Sequence, residues 1–302
     1  MQELVTLGLE LLKKQHFDSL AVGVLNFSKG TYSCFEILHQ AVVSPKPYAY
    51  FDLASLTKPL TLASTKLKHP ELFDEKLNLL LNHQAGLPMG GRLPNKGWRE
   101  ELEKYDIKKS ETLYSDYSAL RLQIELERKS GKSLKELCSY YWDKELCFWT
   151  GLPEGMYSPQ TGFRAGRAIS GTVHDPNCFN LNTFTSHAGL FSTIDGLCQS
   201  LISLNKQTNL LEVMTKAFTS RESRFLEGWD TVEDPSKSLA GPKVSLKTFG
   251  HLGFTGTSIW IDCEKKLGSV ILTNATQNYW YERSGLSELR RGLGESIFSL
   301  AD

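Results

Sequence analysis

Two β-rich hairpins lie near opposite ends of this chain, and any fold it adopts has to account for both. The first runs over 20–27, turns at Ser28-Lys29-Gly30 and returns over 31–39; the second runs over 257–263, turns at Glu264-Lys265-Lys266 and returns over 267–274. Each hairpin has an amphipathic helix on its outer side. Over 1–17, Leu4, Leu7, Leu11 and Leu12 share one face; over 283–300, Leu286, Leu289, Leu293 and Ile297 do the same. From Lys58 to about Phe225 the pattern is mostly helical, broken by Gly/Pro-containing loops at 86–97 and 151–185. It is clearest over 117–128, over 133–146 and over 193–204, the last opening at the N-cap Thr193. The expectation is an α+β, three-layer α-β-α fold. One antiparallel sheet is built from both chain ends, flanked by the terminal helices, with a mostly helical subdomain inserted. As a division, 1–302 forms one unit, with 1–56 plus 246–302 as its α/β part and 57–245 as its helical part.

Within this frame, Ser55-Leu56-Thr57-Lys58 stands just after the first hairpin. Residues three apart share a helix face, so the Ser55 hydroxyl and the Lys58 amine can meet. A serine becomes a nucleophile only when a base takes its proton, and a lysine serves as that base only if its surroundings lower its pKa. Pro59 is tolerated only in the first turn of a helix, which puts Ser55 at a helix N-terminus, where free N–H groups favour developing negative charge. Alone, this spacing is common in solvated helix faces, so its meaning depends on partners elsewhere in the chain.

Composition narrows those partners. Lys plus Arg and Asp plus Glu both number 34, leaving no net charge to attract nucleic acid or an anionic membrane. No apolar run approaches the ~20 residues that span a bilayer, and the N-terminal helix lacks a basic start and an Ala-x-Ala cleavage site. The six cysteines are scattered without a Cys-x-x-Cys pair, as in a reducing compartment. The reading is a cytoplasmic protein acting on a small-molecule or peptide substrate, with no nucleic-acid partner and no membrane insertion. His174, Asp175 and His187 have side chains that suit zinc, but their spacing matches no zinc motif. They are expected to anchor loops; no metal and no cofactor is expected.

Three later segments complete the pattern: Leu80-Leu81-Asn82-His83-Gln84-Ala85-Gly86-Leu87-Pro88, Tyr114-Ser115-Asp116 just before a helix, and His251-Leu252-Gly253. With Ser55 and Lys58, and in this order, they resemble the serine hydrolase family of class C β-lactamases, penicillin-binding proteins and related esterases. The segments Gly171-Thr172-Val173-His174-Asp175-Pro176-Asn177 and His187-Ala188-Gly189-Leu190-Phe191 are similar to a branch involved in cell-wall recycling, which includes muropeptide amidases. The resemblance runs from about residue 18 to 302.

It implies that Ser55 attacks a carbonyl to form an acyl-enzyme, that Lys58 shuttles its proton, and that Tyr114 acts with Lys58 before protonating the leaving group. Either Lys58 is the neutral base and Tyr114 relays the proton, or Lys58 and a cationic His251 stabilise a Tyr114 phenolate. Backbone N–H groups of Ser55 and Phe254 would form the oxyanion hole, with Asp116 and Gly253 lining the substrate site. Three departures stand out. Asp116 replaces an asparagine, so it accepts hydrogen bonds but does not donate them. His251 replaces a lysine, so charge at that position is expected to depend on pH. The stretch from Ser55 to His83 is short, which implies a trimmed helical subdomain. The implied function is hydrolysis of an amide or ester of a cell-wall-derived peptide (muropeptide amidase or D-Ala peptidase-like), or of a small ester, with weak or no β-lactamase activity. The alternative is a catalytically inactive binding protein of the same fold.

Overall fold

A computed structural model describes residues 1–40, 42–278 and 283–301. Among them, eight strands form one antiparallel sheet, and the first strand to appear in the chain sits inside it. Leu20–Asn26 pairs on one side with Thr31–Leu38 and on the other with Leu267–Thr273, so Leu20 faces both Ile37 and Thr273. The two ends of the chain are thereby sewn into one sheet. It continues through Ser258–Asp262 and Thr248–Leu252.

Alternation along the Leu20–Asn26 strand sends side chains to two buried faces. Leu20, Val22 and Val24 meet Leu4, Leu12, Leu289 and Leu293 from the terminal helices Gln2–Leu12 and Ser284–Phe298. Ala21 and Leu25 meet Ile194, Leu197 and Leu201 from helix Ile194–Thr208 on the other side. Burying each such aliphatic side chain contributes roughly 1.5–3 kcal/mol, so both faces stabilise the sheet. The outcome is the expected three-layer α-β-α arrangement. Helix Ile194–Thr208 begins where its sequence signal places it, with the Thr193 hydroxyl accepting from the Gly196 amide.

The sheet extends further than the sequence pattern indicates. Phe225–Leu226 and Trp229–Thr231 add two edge strands, although residues 57–245 read as helical. Strands this short show no alternation to read, and the tight turn between them rests on positive φ at Glu227 and Gly228. A second sheet of three short strands joins Phe51–Asp52, Leu190–Ser192 and Leu146–Phe148. The helix expected over 133–146 stops early as Leu134–Cys138: a 3-10 turn follows at Ser139–Tyr141, and of the expected span only the last residue, Leu146, joins that sheet. Helices Glu75–Leu81, Trp98–Glu103 and Asp116–Ser130 bury a separate apolar cluster around Leu80, Leu102 and Leu120. Among the described residues no helix is long and apolar enough to cross a membrane.

Candidate active site

Ser55 sits at the start of a helical run that follows the second sheet. The run opens as a 3-10 turn at Ala54–Leu56, widens to a π turn over Pro59–Ala63, and continues as α-helix Ser64–Lys68. Such wide turns recur at functional sites. Pro59 fits because the widened turn does not need its missing N–H. The preceding strand is fixed where the Leu53 amide donates to the Leu190 carbonyl. Ala54 is left-handed at φ 47, a strained conformation for a residue with a Cβ, and its amide donates to the Asp52 carboxylate at 2.8 Å. The turn thus lifts Ser55, half-buried, into the space between the main sheet and the helices.

Lys58 is 3% exposed, and its amine makes three close contacts. It donates to Ser55 Oγ at 3.0 Å and to the His187 carbonyl at 3.1 Å, and it lies 2.7 Å from Asp116 Oδ1. The Tyr114 ring centroid is 4.9 Å from the same amine. Tyr114 and Asp116 are held from the loop behind them. The Ser115 amide donates to His83 Nδ1, the Ser115 hydroxyl donates to the Pro88 carbonyl, and the Asp116 amide donates to the Met89 carbonyl. The His83 and Tyr114 rings also pack 4.7 Å apart. His83 and the Gly86-Leu87-Pro88 turn therefore shape the site without entering it.

His251 lies on strand Thr248–Leu252, its ring 5.8 Å from that of Tyr114. Gly253 follows at a point of close approach. A Cβ there would fall 1.9 Å from Thr257 Oγ1 and 2.6 Å from the Leu53 carbonyl oxygen, so only glycine lets this turn pack against the segment that precedes Ser55. Phe254 stands in the same turn. Ser55 and Phe254 line two hollows, one of about 330 Å³ with Asp116, Asp175 and His187, the other of about 320 Å³ with Tyr114, His251 and Gly253. The structure thus places Ser55, Lys58, Tyr114, Asp116, His251, Gly253 and Phe254 close to one another.

Over residues 76–290, well over half of the chain, the sequence matches the family model described as Beta-lactamase. The chain belongs to the β-lactamase family. The matched span includes Tyr114, Asp116 and His251 and begins after Ser55 and Lys58. This β-lactamase-family chain is 28% identical to an N-acetylmuramyl-L-alanine amidase of Bacillus subtilis, with 65% of the chain and 55% of that protein covered. It is 25% identical to a putative D-alanyl-D-alanine carboxypeptidase of Escherichia coli, with 66% of the chain and 56% of that protein covered. The chain thus spans about half the length of these relatives. In fold it is similar to a β-lactamase from Mycobacterium bovis, with a TM-score of 0.62, 17% identity, and 97% and 99% of the two chains covered. A simvastatin synthase from Aspergillus terreus aligns with the same TM-score, at 12% identity over 99% and 94% of the chains.

Charges in the cleft of this β-lactamase-family protein are set by burial and by close partners. Burial works against charge on Lys58, yet the neighbouring Asp116 and Tyr114 outweigh it and hold the amine above the ordinary lysine range. Burial raises the Tyr114 phenol despite the Lys58 cation beside it. At neutral pH the resting site therefore holds a Lys58 cation beside a neutral Tyr114.

His251 departs from expectation. Burial, then Lys58, pushes its pKa down to about 3, so the position carries no charge that titrates near neutrality. Its Nδ1 lies 2.9 Å from the Leu252 carbonyl, which only accepts, so Nδ1 holds the proton and Nε2 is an acceptor. The cationic His251 that would help a Tyr114 phenolate is thus absent.

Asp175 and His187 behave as loop anchors, and His174 is held through its backbone amide, which donates to Asp52. Asp175 caps helix Pro176–Leu181 through the Cys178 amide and lies 2.9 Å from His187 Nε2. That contact fixes the segment whose carbonyl receives Lys58. Among the described residues no group of three or more His, Cys, Asp or Glu side chains is arranged to hold a metal.

Sequence reasoning missed Asp52 and the arginines of the second hollow. Asp52 is 1% exposed and accepts from the Ala54 and His174 amides, and burial pushes its pKa up to about 7. Its folded value lies above the unfolded one, so ionisation between about pH 4 and 7 destabilises the fold, by about 4 kcal/mol once complete. The Tm of Asp52→Asn relative to the parent is therefore expected to be higher at pH 8 than at pH 4, near the unfolded pKa, where most of the ionisation penalty is still absent. Thermal melts at both pH values check this; an equal shift at both would refute it.

Proposed function

We propose that this protein is a serine hydrolase that cleaves an amide or ester through an acyl-enzyme on Ser55. The observation that carries the reading is the 3.0 Å contact between Lys58 Nζ and Ser55 Oγ at the meeting point of two hollows. The favoured substrate is a cell-wall-derived peptide, with a muropeptide amide or a D-Ala peptide bond ahead of a simple ester. The names of the amidase and carboxypeptidase relatives support this class. β-Lactam hydrolysis is expected to be weak or absent: Asp116 does not donate to a substrate carbonyl, and neutral His251 offers no charge to a β-lactam carboxylate.

In this reading, catalysis begins when one proton leaves the Lys58–Tyr114 pair. The neutral amine or the phenolate then takes the Ser55 proton as Oγ bonds to the substrate carbonyl carbon. The Ser55 amide lies in the first turn of its helical run, where N–H groups have no acceptor within the helix, and with the Phe254 amide it would stabilise the oxyanion. Collapse of the tetrahedral species breaks the bond to the leaving group, to which Tyr114 returns the proton. A water then repeats the cycle on the acyl-enzyme.

The deciding experiment is intact-mass analysis after incubation with a fluorophosphonate, followed by digestion. One adduct on Ser55 supports the reading, whereas no adduct, or one elsewhere, overturns it. Muramyl peptides, D-Ala-D-Ala peptides and p-nitrophenyl esters then sort the substrate class. The resting charges add a pH prediction. Asp116 raises the Lys58 pKa, so Asp116→Asn lowers it and leaves more neutral amine at a given pH. The acidic limb of kcat/KM is expected to move to lower pH in that variant; a limb that stays put or moves up would count against Lys58 as the group that loses the proton.

A further inference from the structure

Three walls of the hollow beside Ser55 meet at one residue, Asp52. Its side chain is 1% exposed and presents one oxygen to each of two amides: Oδ1 accepts from Ala54 at 2.8 Å and Oδ2 from His174 at 2.6 Å. Its backbone carbonyl accepts from the Thr255 hydroxyl at 2.7 Å. Ala54 and His174 both line the roughly 330 Å³ hollow with Ser55 and Phe254. Each amide that would face the oxyanion is thus one residue from a group that Asp52 holds, Ser55 after Ala54 and Phe254 before Thr255. None of the proposed catalytic steps uses the carboxyl group.

Capping a single amide does not require an acid; a hydroxyl suffices, as at Thr193, which accepts from the Gly196 amide. Two amides on separate oxygens match a carboxylate, whose oxygens only accept. A protonated carboxyl carries a hydroxyl that needs an acceptor of its own, and here each oxygen faces an N–H. Bonds to the ionised form are also the stronger ones. The difference matters most at Ala54, because a residue with a Cβ keeps a φ of 47 only where its surroundings enforce it.

We infer that Asp52 is a positioning residue: its ionised carboxylate, by bridging the Ala54 and His174 amides, holds the strained turn that carries Ser55 in its reactive shape. The inference rests on the hydrolase reading only in calling that shape reactive. Burial raises the Asp52 pKa to about 7 and Asp175 adds to the rise, while the two amides and Arg164 oppose it. The neighbouring His174 ring and Cys178 thiol stay neutral near pH 7, because burial disfavours their charged forms. The bridge is therefore complete above about pH 7 and is lost as the pH falls below it. The same charge that destabilises the fold organises the site, an exchange of stability for function.

Rates of fluorophosphonate labelling of the parent protein and of Asp52→Asn, measured between about pH 5 and pH 9, test this. Dividing one rate by the other cancels the rise with pH that Lys58 imposes on both. The parent is expected to label at least about tenfold faster at pH 9, with the ratio falling below about twofold at pH 5. A ratio that does not change with pH, or one within about twofold at pH 9, would overturn the inference. Glu36 is buried as well, its pKa also pushed up to about 7 by burial, and it accepts from the Ala49 amide at 2.9 Å. Glu36→Gln is expected to keep the parental pH profile, and loss of the profile there would overturn the assignment to Asp52. If Asp52→Asn does not fold, the parent alone decides. Its Ala54 and His174 amide proton shifts are expected to titrate together near pH 7 in NMR spectra, and flat shifts would overturn the bridge. Titrating amides without any labelling would sink the hydrolase reading and leave the bridge standing; labelling with a flat ratio would do the reverse.

Discussion

Replacing Ser55 with alanine is expected to lower kcat by about 10⁴- to 10⁶-fold and to abolish the covalent adduct, with little change in fold. The size follows from how such sites operate. A nucleophile and its proton-transfer partners act as a unit, so removing the nucleophile forfeits nearly all of their joint effect, leaving what binding and oxyanion donors supply. The structural consequence is small because Ser55 is half-buried and its hydroxyl accepts a 3.0 Å hydrogen bond from Lys58. Losing one such bond costs about 1 kcal/mol. Initial rates on the best ester, intact mass and a thermal melt together check this. Activity within tenfold of the parent, in a preparation free of contaminating hydrolase, would remove Ser55 from the chemistry.

Lys58→Met is expected to lower kcat by about 10³- to 10⁴-fold with a much smaller change in KM, in line with the loss of a positioned proton-transfer group. Methionine fills much of the space of the buried lysine stem and removes the amine that touches Ser55, Asp116 and the His187 carbonyl. Asp116 is then left without its cation, but it is 33% exposed, so water partly replaces the pair and the fold survives. Lys58→Arg sharpens the test. Guanidinium keeps the positive charge yet does not give up a proton in this range. If Lys58 acts by moving a proton, arginine is expected to be as inactive as methionine. An arginine variant with more than a tenth of parental kcat would show that the charge alone suffices.

Much of the fold was legible because its signals are local. The hairpin turns, the Thr193 cap and the apolar faces of the terminal helices depend on residues within a turn or two of each other. Each appears in the structure near its expected place. The short edge strands were not legible, since Phe225–Leu226 and Trp229–Thr231 are strands only because a neighbouring strand offers them hydrogen bonds. The Leu146–Phe148 strand, expected in part as the end of a helix, likewise exists through its pairing with Leu190–Ser192 far along the chain.

The candidate site divides in the same way. Spacing alone put Ser55 and Lys58 on one helical face, and residue order pointed to Tyr114, Asp116, His251 and Gly253 as their companions. What those groups carry was decided by packing. Lys58 is fixed by a carbonyl 129 residues away, at His187. His251 is neutral because burial and Lys58 suppress its charge, and Asp52 holds its proton to about pH 7 because burial outweighs the two amides and Arg164. Arg290 reads in sequence as one polar residue in an amphipathic helix, and only the close approach of that helix to Thr257 brings it to the cleft. Sequence by itself determined which chemical groups this protein has and which near neighbours share a face. The tertiary structure decided their protonation and their distant partners, because both depend on how much water and which charges the rest of the chain leaves around each group.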